Sequence, residues 1–170
     1  SDYGKGACTE AACQIIIKAC HDHGVPVVVD PKGTNWLKYA QADYITPNVR
    51  EVNEILIDQI KNEDSQVEKA AHYIMRKYKL RNVIVTRSEK GMTLVRAEDT
   101  EHIPTRAQDV FDVSGAGDTV IAVFAMALAG GLKAKDGAFL ANLAASVVVA
   151  KLGTYAVSQE ELLAVLKNLL

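Results

Sequence analysis

The chain has 170 residues, with 19 Lys and Arg against 21 Asp and Glu, a formal charge of −2 with neutral histidines. Hydrophobic residues make up 49% and charged residues 24%, which excludes a disordered or collagen-like chain. The charge balance has no basic block, which argues against nucleic acid as the main partner and defines no membrane-binding surface.

The most apolar stretches, Ile121–Leu128 and Leu143–Leu152, are too short to span a bilayer, and Ser1–Lys5 carries no signal-peptide core. The expectation is a cytoplasmic chain folding as one domain over residues 1–170. Cys8, Cys13 and Cys20 are odd in number and read as small packing residues rather than a disulfide framework. A zinc site built on Cys20, His21 and His23 lacks a second ligand pair at a suitable spacing.

Thr9 is placed to cap a helix running to about His23, closed by Gly24. Val25–Val29 is a continuous β-branched run, the mark of a strand buried on both faces. A short helix is expected over Trp36–Gln41 and a strand at Tyr44–Thr46. Asn48 opens a helix to about Ile60, and Ser65 caps another to about Lys79. Val83–Thr86 reads as a buried strand and Met92–Val95 as its hairpin partner. His102–Pro104 is a further short strand. Helices follow from near Gly117, from near Lys135 and after Ser158. Strands alternating with helices predict a doubly wound α/β fold, whose ligands bind beyond the carboxyl ends of the strands.

Residues able to do chemistry fall at those ends. In Asp112–Thr119, small residues permit a tight turn into a helix whose free amides and dipole attract an anion. The amides of Gly115, Ala116 and Gly117 are candidates to hold developing negative charge, and Asp118 to accept a proton from an attacking hydroxyl. A dinucleotide fingerprint fails here at Val120, and no P-loop Gly-Lys-Ser/Thr follows. Asp118 serving only the helix dipole remains an alternative.

Asn48 and Glu51 share a helix face, either as a capping box or as a magnesium and phosphate site in which Glu51 acts through a water. Thr86 and Ser88 lie in a β-turn or a nucleotide-binding loop closed by Gly91. Lys32, in the turn Asp30–Gly33, could bring a point charge to a phosphate. Asn142 interrupts an apolar helix and either faces a cleft or is satisfied inside the protein.

Together and in this order, these segments resemble the ribokinase-like (PfkB) carbohydrate kinase family. Asp112–Asp118 is similar to its C-terminal signature, with Asp118 in the catalytic base position. Asn48-Val49-Arg50-Glu51 is similar to its N-x-x-E element. Thr86–Gly91 is similar to its nucleotide loop, although Ser88 stands where most members have Gly. Asn142 and Lys151–Thr154, with Gly153, resemble the region walling the adenine. Ser1–Gly6, Asp30–Thr34, Thr46–Asn48, Val85–Met92 and Lys151–Thr154 narrow the resemblance to the heptose 7-phosphate kinases of the family, in which Ser88 is expected.

The resemblance implies a ribokinase-like three-layer α/β/α fold with a mostly parallel sheet, of which this is the C-terminal part. It implies phosphorylation by ATP of the anomeric hydroxyl of D-glycero-β-D-manno-heptose 7-phosphate, a step feeding bacterial lipopolysaccharide. Mg²⁺ would lie near Glu51, and a monovalent cation such as K⁺ near Asp112 and Ser114. Lys32, Asn48, Thr86, Ser88, Gly91, Asn142 and Gly153 would serve the nucleotide. The first strands, most sugar-binding residues and the β lid would lie outside these residues. An exposed sheet edge would then need the rest of the kinase, or a second copy, to cover it. The adenylyl-transfer activity of bifunctional relatives would need an H-x-G-H signature, which His21-Asp22-His23-Gly24 does not supply.

Overall fold

The computed structural model describes residues 1–107 and 110–169. Contacts divide the chain into two compact units, Ser1–Arg87 with Thr93–His102, and Ser88–Met92 with Ile103–Leu170.

The first unit opens with α1 (Glu10–Asp22), capped as expected: the Thr9 hydroxyl oxygen accepts the Ala12 amide at 3.2 Å. There follow β1 (Val28–Val29), a 3₁₀ turn (Trp36–Tyr39), β2 (Tyr44–Ile45), α2 (Val49–Ile55), α3 (Asp64–Tyr78), β3 (Val83–Thr86), β4 (Met92–Val95) and β5 (Thr100–Ile103). The strands form one sheet in the order β1-β2-β3-β4-β5. β1 runs parallel to β2, with Val28 opposite Tyr44, and β2 parallel to β3, with Ile45 opposite Val83. The connections from β3 to β4 and from β4 to β5 are too short for a parallel crossover, so the sheet is mixed. The expected α/β class is what the chain adopts.

Three expectations need correction. Only Val28–Val29 of the run Val25–Val29 forms the strand, and both residues are half-buried rather than buried on both faces. The helix after Asn48 stops at Ile55 instead of continuing to Ile60. There the chain turns extended, and Asn53 closes the loop by accepting the Ile60 amide at 2.8 Å and donating to its carbonyl at 3.1 Å. Ser65 lies inside α3, whose N-cap is Glu63.

Trp36, Ile45, Val52, Val67, Ile74 and Val83 are buried in the core of this unit. The Trp36 ring packs tilted on Tyr78, centroids 5.8 Å apart, while Nε1 donates to the Gly33 carbonyl at 2.8 Å. Beside them Asp2 is 5% exposed. Its carboxylate accepts Lys38 Nζ at 2.5 Å, the Tyr39 hydroxyl at 2.6 Å and the Gly4 amide at 2.7 Å. Burial alone would raise the Asp2 pKa, but these donors outweigh it and hold the group down to about 2.

The amino ends of the parallel strands are tied by Asp43. It accepts the Val27 amide at 2.8 Å and Arg81 Nη1 at 2.8 Å, and pairs with His21 Nε2 at 2.9 Å. Its own carbonyl accepts the Asn82 side-chain amide at 2.7 Å. The Asp43 carboxyl is thereby kept below its ordinary range despite burial, which opposes ionisation.

The second unit contains α4 (Ala116–Ala129), α5 (Ala134–Val149) and α6 (Gln159–Lys167). Val120, Phe124, Ala138, Ala141 and Val148 are buried. α4 and α5 approach closely at Gly137, where a Cβ would lie 3.2 Å from Ala127 Cβ and 3.3 Å from Phe124 Cδ2. Among the described residues, no helix is long and apolar enough to cross a membrane, and no group of three or more His, Cys, Asp or Glu is placed to hold a metal ion. The three cysteines are free thiols, and burial pushes that of Cys13 up.

Candidate active site

In the first unit the carboxyl ends of the parallel strands bring four candidate residues together. Lys32 follows β1, Asn48 follows β2, and Thr86 ends β3. Asn48 and Thr86 form a parallel bridge, and the Thr86 amide donates to Pro47 O at 2.9 Å. The Asn48–Glu51 capping box is complete. Asn48 Oδ1 accepts the Glu51 amide at 2.9 Å, and Glu51 Oε2 accepts the Asn48 amide at 3.0 Å. The other Glu51 oxygen accepts from Lys32 Nζ at 3.3 Å. Each oxygen of Glu51 thus accepts one hydrogen bond and keeps a further lone pair for a cation or its water shell.

Arg87 follows Thr86 directly, with no spacing in the sequence that marks it for a role. It is 2% exposed and among the largest fully buried side chains. Its Nε donates to Asn62 Oδ1 at 2.8 Å, and Nη1 donates to Asp64 Oδ1 at 2.6 Å and to Thr93 Oγ1 at 3.0 Å. The Arg87 carbonyl accepts the Asn62 side-chain amide at 3.0 Å. A buried guanidinium needs such satisfaction, and here it fixes the backbone where the chain leaves β3. The one local signal was a charged residue directly after an apolar strand.

The segment after Arg87 belongs to the second unit. Ser88 is exposed and has φ +52, a left-handed conformation that glycine adopts without cost. Gly91, expected to contact the nucleotide, is buried instead. It has φ +78, and a Cβ there would meet the main chain of Ile103, Pro104 and Thr105. Its lack of a side chain serves packing. Asn142 is likewise 5% exposed, with Nδ2 donating to Pro104 O at 2.8 Å. That bond fixes the segment that packs on Gly91.

The turn before α4 has the geometry its small residues suggested. Gly115 is the N-cap, at φ +79, and its carbonyl accepts both the amide and the hydroxyl of Thr119 at 2.9 Å. The Ala116 amide closes the turn by donating to Val113 O at 3.2 Å, so it is not available as expected. Among the described residues, neither the Gly115 nor the Gly117 amide donates to a backbone carbonyl outside the helix. Asp118 lies in the first turn of α4 and is exposed.

Asp112 shapes this turn from before. Oδ1 accepts the Ser114 amide at 2.9 Å, and Oδ2 accepts the Gly153 amide at 3.1 Å. Its pKa is held below the ordinary carboxylate range, first by Ser114 and then by Gly153. Asp112, Ser114, Gly115 and Gly153 are therefore one assembly, flanked by the exposed apolar side chains of Phe111 and Leu152.

This fold is that of the ribokinase-like proteins. The chain superposes on ribokinase of Arabidopsis thaliana, solved with ribose and ATP, at a TM-score of 0.84 and 25% identity, over 94% of this chain and 53% of that one. Ribokinase of Thermotoga maritima gives 0.76 and 31% identity over 90% and 52%. Residues 4–161 match the pfkB family carbohydrate kinases, and the chain belongs to that family. It is 49% identical over 163 residues to the bifunctional protein HldE of Alcanivorax borkumensis, covering 95% of this chain and 33% of that protein. The corresponding protein of Mesorhizobium japonicum is 45% identical over 162 residues, covering 95% and 32%. The chain thus spans about a third of the length of these curated relatives.

Proposed function

We propose that this chain carries the phosphoryl-transfer residues of a cytoplasmic kinase that uses ATP to phosphorylate the anomeric 1-hydroxyl of D-glycero-β-D-manno-heptose 7-phosphate, giving the 1,7-bisphosphate. One observation carries the reading: an exposed carboxylate, Asp118, stands on the first turn of a helix opened by a left-handed glycine. Asp118 accepts the hydroxyl proton as that oxygen attacks the γ-phosphorus and the bond to the ADP oxygen breaks. The Gly115 and Gly117 amides, with the positive end of α4, stabilise charge gathering on the transferred group. Exposed Leu152 and Phe111 offer apolar surface to a purine. What supports the heptose substrate is the likeness of Ser1–Gly6, Asp30–Thr34 and Val85–Met92 to heptose 7-phosphate kinases.

Lys32, Asn48 and Glu51 fit a phosphate accompanied by hydrated Mg²⁺, with Lys32 toward the anion and Glu51 toward the water shell of the metal. Bound there, Mg²⁺ would neutralise phosphate charge. A monovalent cation such as K⁺ belongs near Asp112 and Ser114, where the lowered pKa keeps the carboxyl charged. The edge strand β1 would be completed by further strands, from the rest of the protein or from a second copy.

The test is Asp118→Asn in the full-length protein, with turnover followed by ADP release and ATP affinity by calorimetry. ATP affinity should stay within about twofold while kcat falls by roughly 10²- to 10⁴-fold. Near-normal turnover would refute the assignment of the base.

A further inference from the structure

The loop Lys151–Tyr155 clasps the turn before α4, yet little apolar burial holds the loop itself. Leu152 at its tip is 89% exposed and Gly153 has φ +76. Its position rests on polar ties, and at both ends these converge on one carboxylate. Glu161 is the third residue of α6, and its Oε2 accepts the Ser158 amide at 3.0 Å. Its two oxygens also lie 2.8 and 2.9 Å from the Tyr155 hydroxyl. Lys151 Nζ lies 3.3 Å from Oε1 and 5.1 Å from the centroid of the Tyr155 ring. The Ser158 amide first, then the Tyr155 hydroxyl and Lys151, hold the Glu161 pKa down to about 2, so the carboxyl is charged at neutral pH.

Between these two anchors lie the residues that meet the turn. The Gly153 amide donates to Asp112 Oδ2 at 3.1 Å, and a Cβ on Gly115 would be 3.4 Å from Thr154 Cγ2. The path Glu161, Lys151 and Tyr155, Gly153, Asp112, Ser114 is continuous and lies within one compact unit. We propose that Glu161 is a positioning residue for the anion-holding turn, bracing the Lys151–Tyr155 loop so that Asp112 sets the entry into Gly115 and α4. The inference rests on the kinase reading and adds to it a residue two helices away in sequence, beyond α4 and α5.

The test uses the full-length protein and three variants, measuring kcat, KM for ATP and amide exchange across residues 151–155. Tyr155→Phe leaves the Ser158–Glu161 capping box intact, so it separates the brace from the integrity of α6. Glu161→Gln keeps an acceptor for Ser158 and Tyr155. Displacement of the turn acts on the transition state, so kcat should fall by roughly tenfold in Glu161→Ala and several-fold in Tyr155→Phe, with smaller changes in KM. Glu161→Gln should recover most of the rate. Gly153 should exchange faster in both Tyr155→Phe and Glu161→Ala. Unchanged kcat in Glu161→Ala overturns the proposal, as does a loss that Glu161→Gln does not reverse, or Gly153 exchange equal to wild type. A wild-type protein without ATP-dependent turnover would sink the kinase reading instead, and Gly153 exchange would still decide on the brace.

Discussion

Adding a single methyl group at Gly91 tests whether that glycine serves packing or a ligand. In Gly91→Ala the new Cβ would sit 2.5 Å from Thr105 N and 2.7 Å from Pro104 C, inside any real contact distance. The obstacle is main chain, and Pro104 is held by Asn142 at 2.8 Å, so the neighbours cannot simply swing aside. Overpacking of this kind costs about 1–3 kcal/mol. The left-handed φ of +78 adds about 1–2 kcal/mol for an L-residue. Restricting the unfolded chain returns about 0.4–1 kcal/mol. The net loss is about 1–4.5 kcal/mol, equivalent to a fall in Tm of roughly 2–18 °C for a chain of this length. Urea denaturation followed by circular dichroism measures the loss, and ATP calorimetry below the transition reports on binding. If Gly91→Ala unfolded at the wild-type midpoint while losing ATP affinity, the packing argument would be wrong and Gly91 would be a ligand contact.

The opposite sign is expected three residues earlier. Ser88→Gly relieves a left-handed backbone at an exposed position, and after the entropy that glycine adds to the unfolded chain it should stabilise by up to about 1 kcal/mol in the same urea experiment; a clear destabilisation would show that the Ser88 side chain makes a contact worth more than the strain. Asp2 should contribute to acid sensitivity. Its native pKa of about 2 lies below the ordinary 3.8, so its stabilisation is complete above that ordinary value and disappears as pH falls through about 2. The shift corresponds to about 2 kcal/mol at neutral pH, so Asp2→Asn should lower neutral stability by up to that amount and flatten the loss between about pH 4 and 2; an unchanged acid slope would contradict it.

What could be read from residues alone was what is local. Thr9 and Ser158 announced helix starts because a capping side chain acts on an amide only a few residues ahead. The small residues of Asp112–Asp118 announced the turn because a left-handed N-cap demands glycine. The Asn48–Glu51 spacing suited both a cap and a phosphate site, and the complete capping box accounts for the spacing without deciding the second role. What was hidden depends on distant partners. The Val25–Val29 run reads as doubly buried, yet Val28 and Val29 are half-buried, because burial depends on what other segments lay over the strand. Asp2 meets Lys38 and Tyr39, and Arg87 meets Asn62 and Asp64, across separations that no periodicity encodes. The packing of residues 103–105 against Gly91 and Asn142 was equally hidden, because that segment could not be placed beside them from spacing.

The Asp43 junction separates duties along the strands. It fastens the amino ends of β1, β2 and β3, whereas Lys32, Asn48 and Thr86 occupy the opposite ends. Architectural support and ligand chemistry therefore draw on different residues of the same three strands. Replacements at the chemical end can retune what is bound while the foundation stays in place, whereas a change at Asp43 would loosen all three strands together. Such a scaffold lends itself to diversification of substrate without redesign of the sheet.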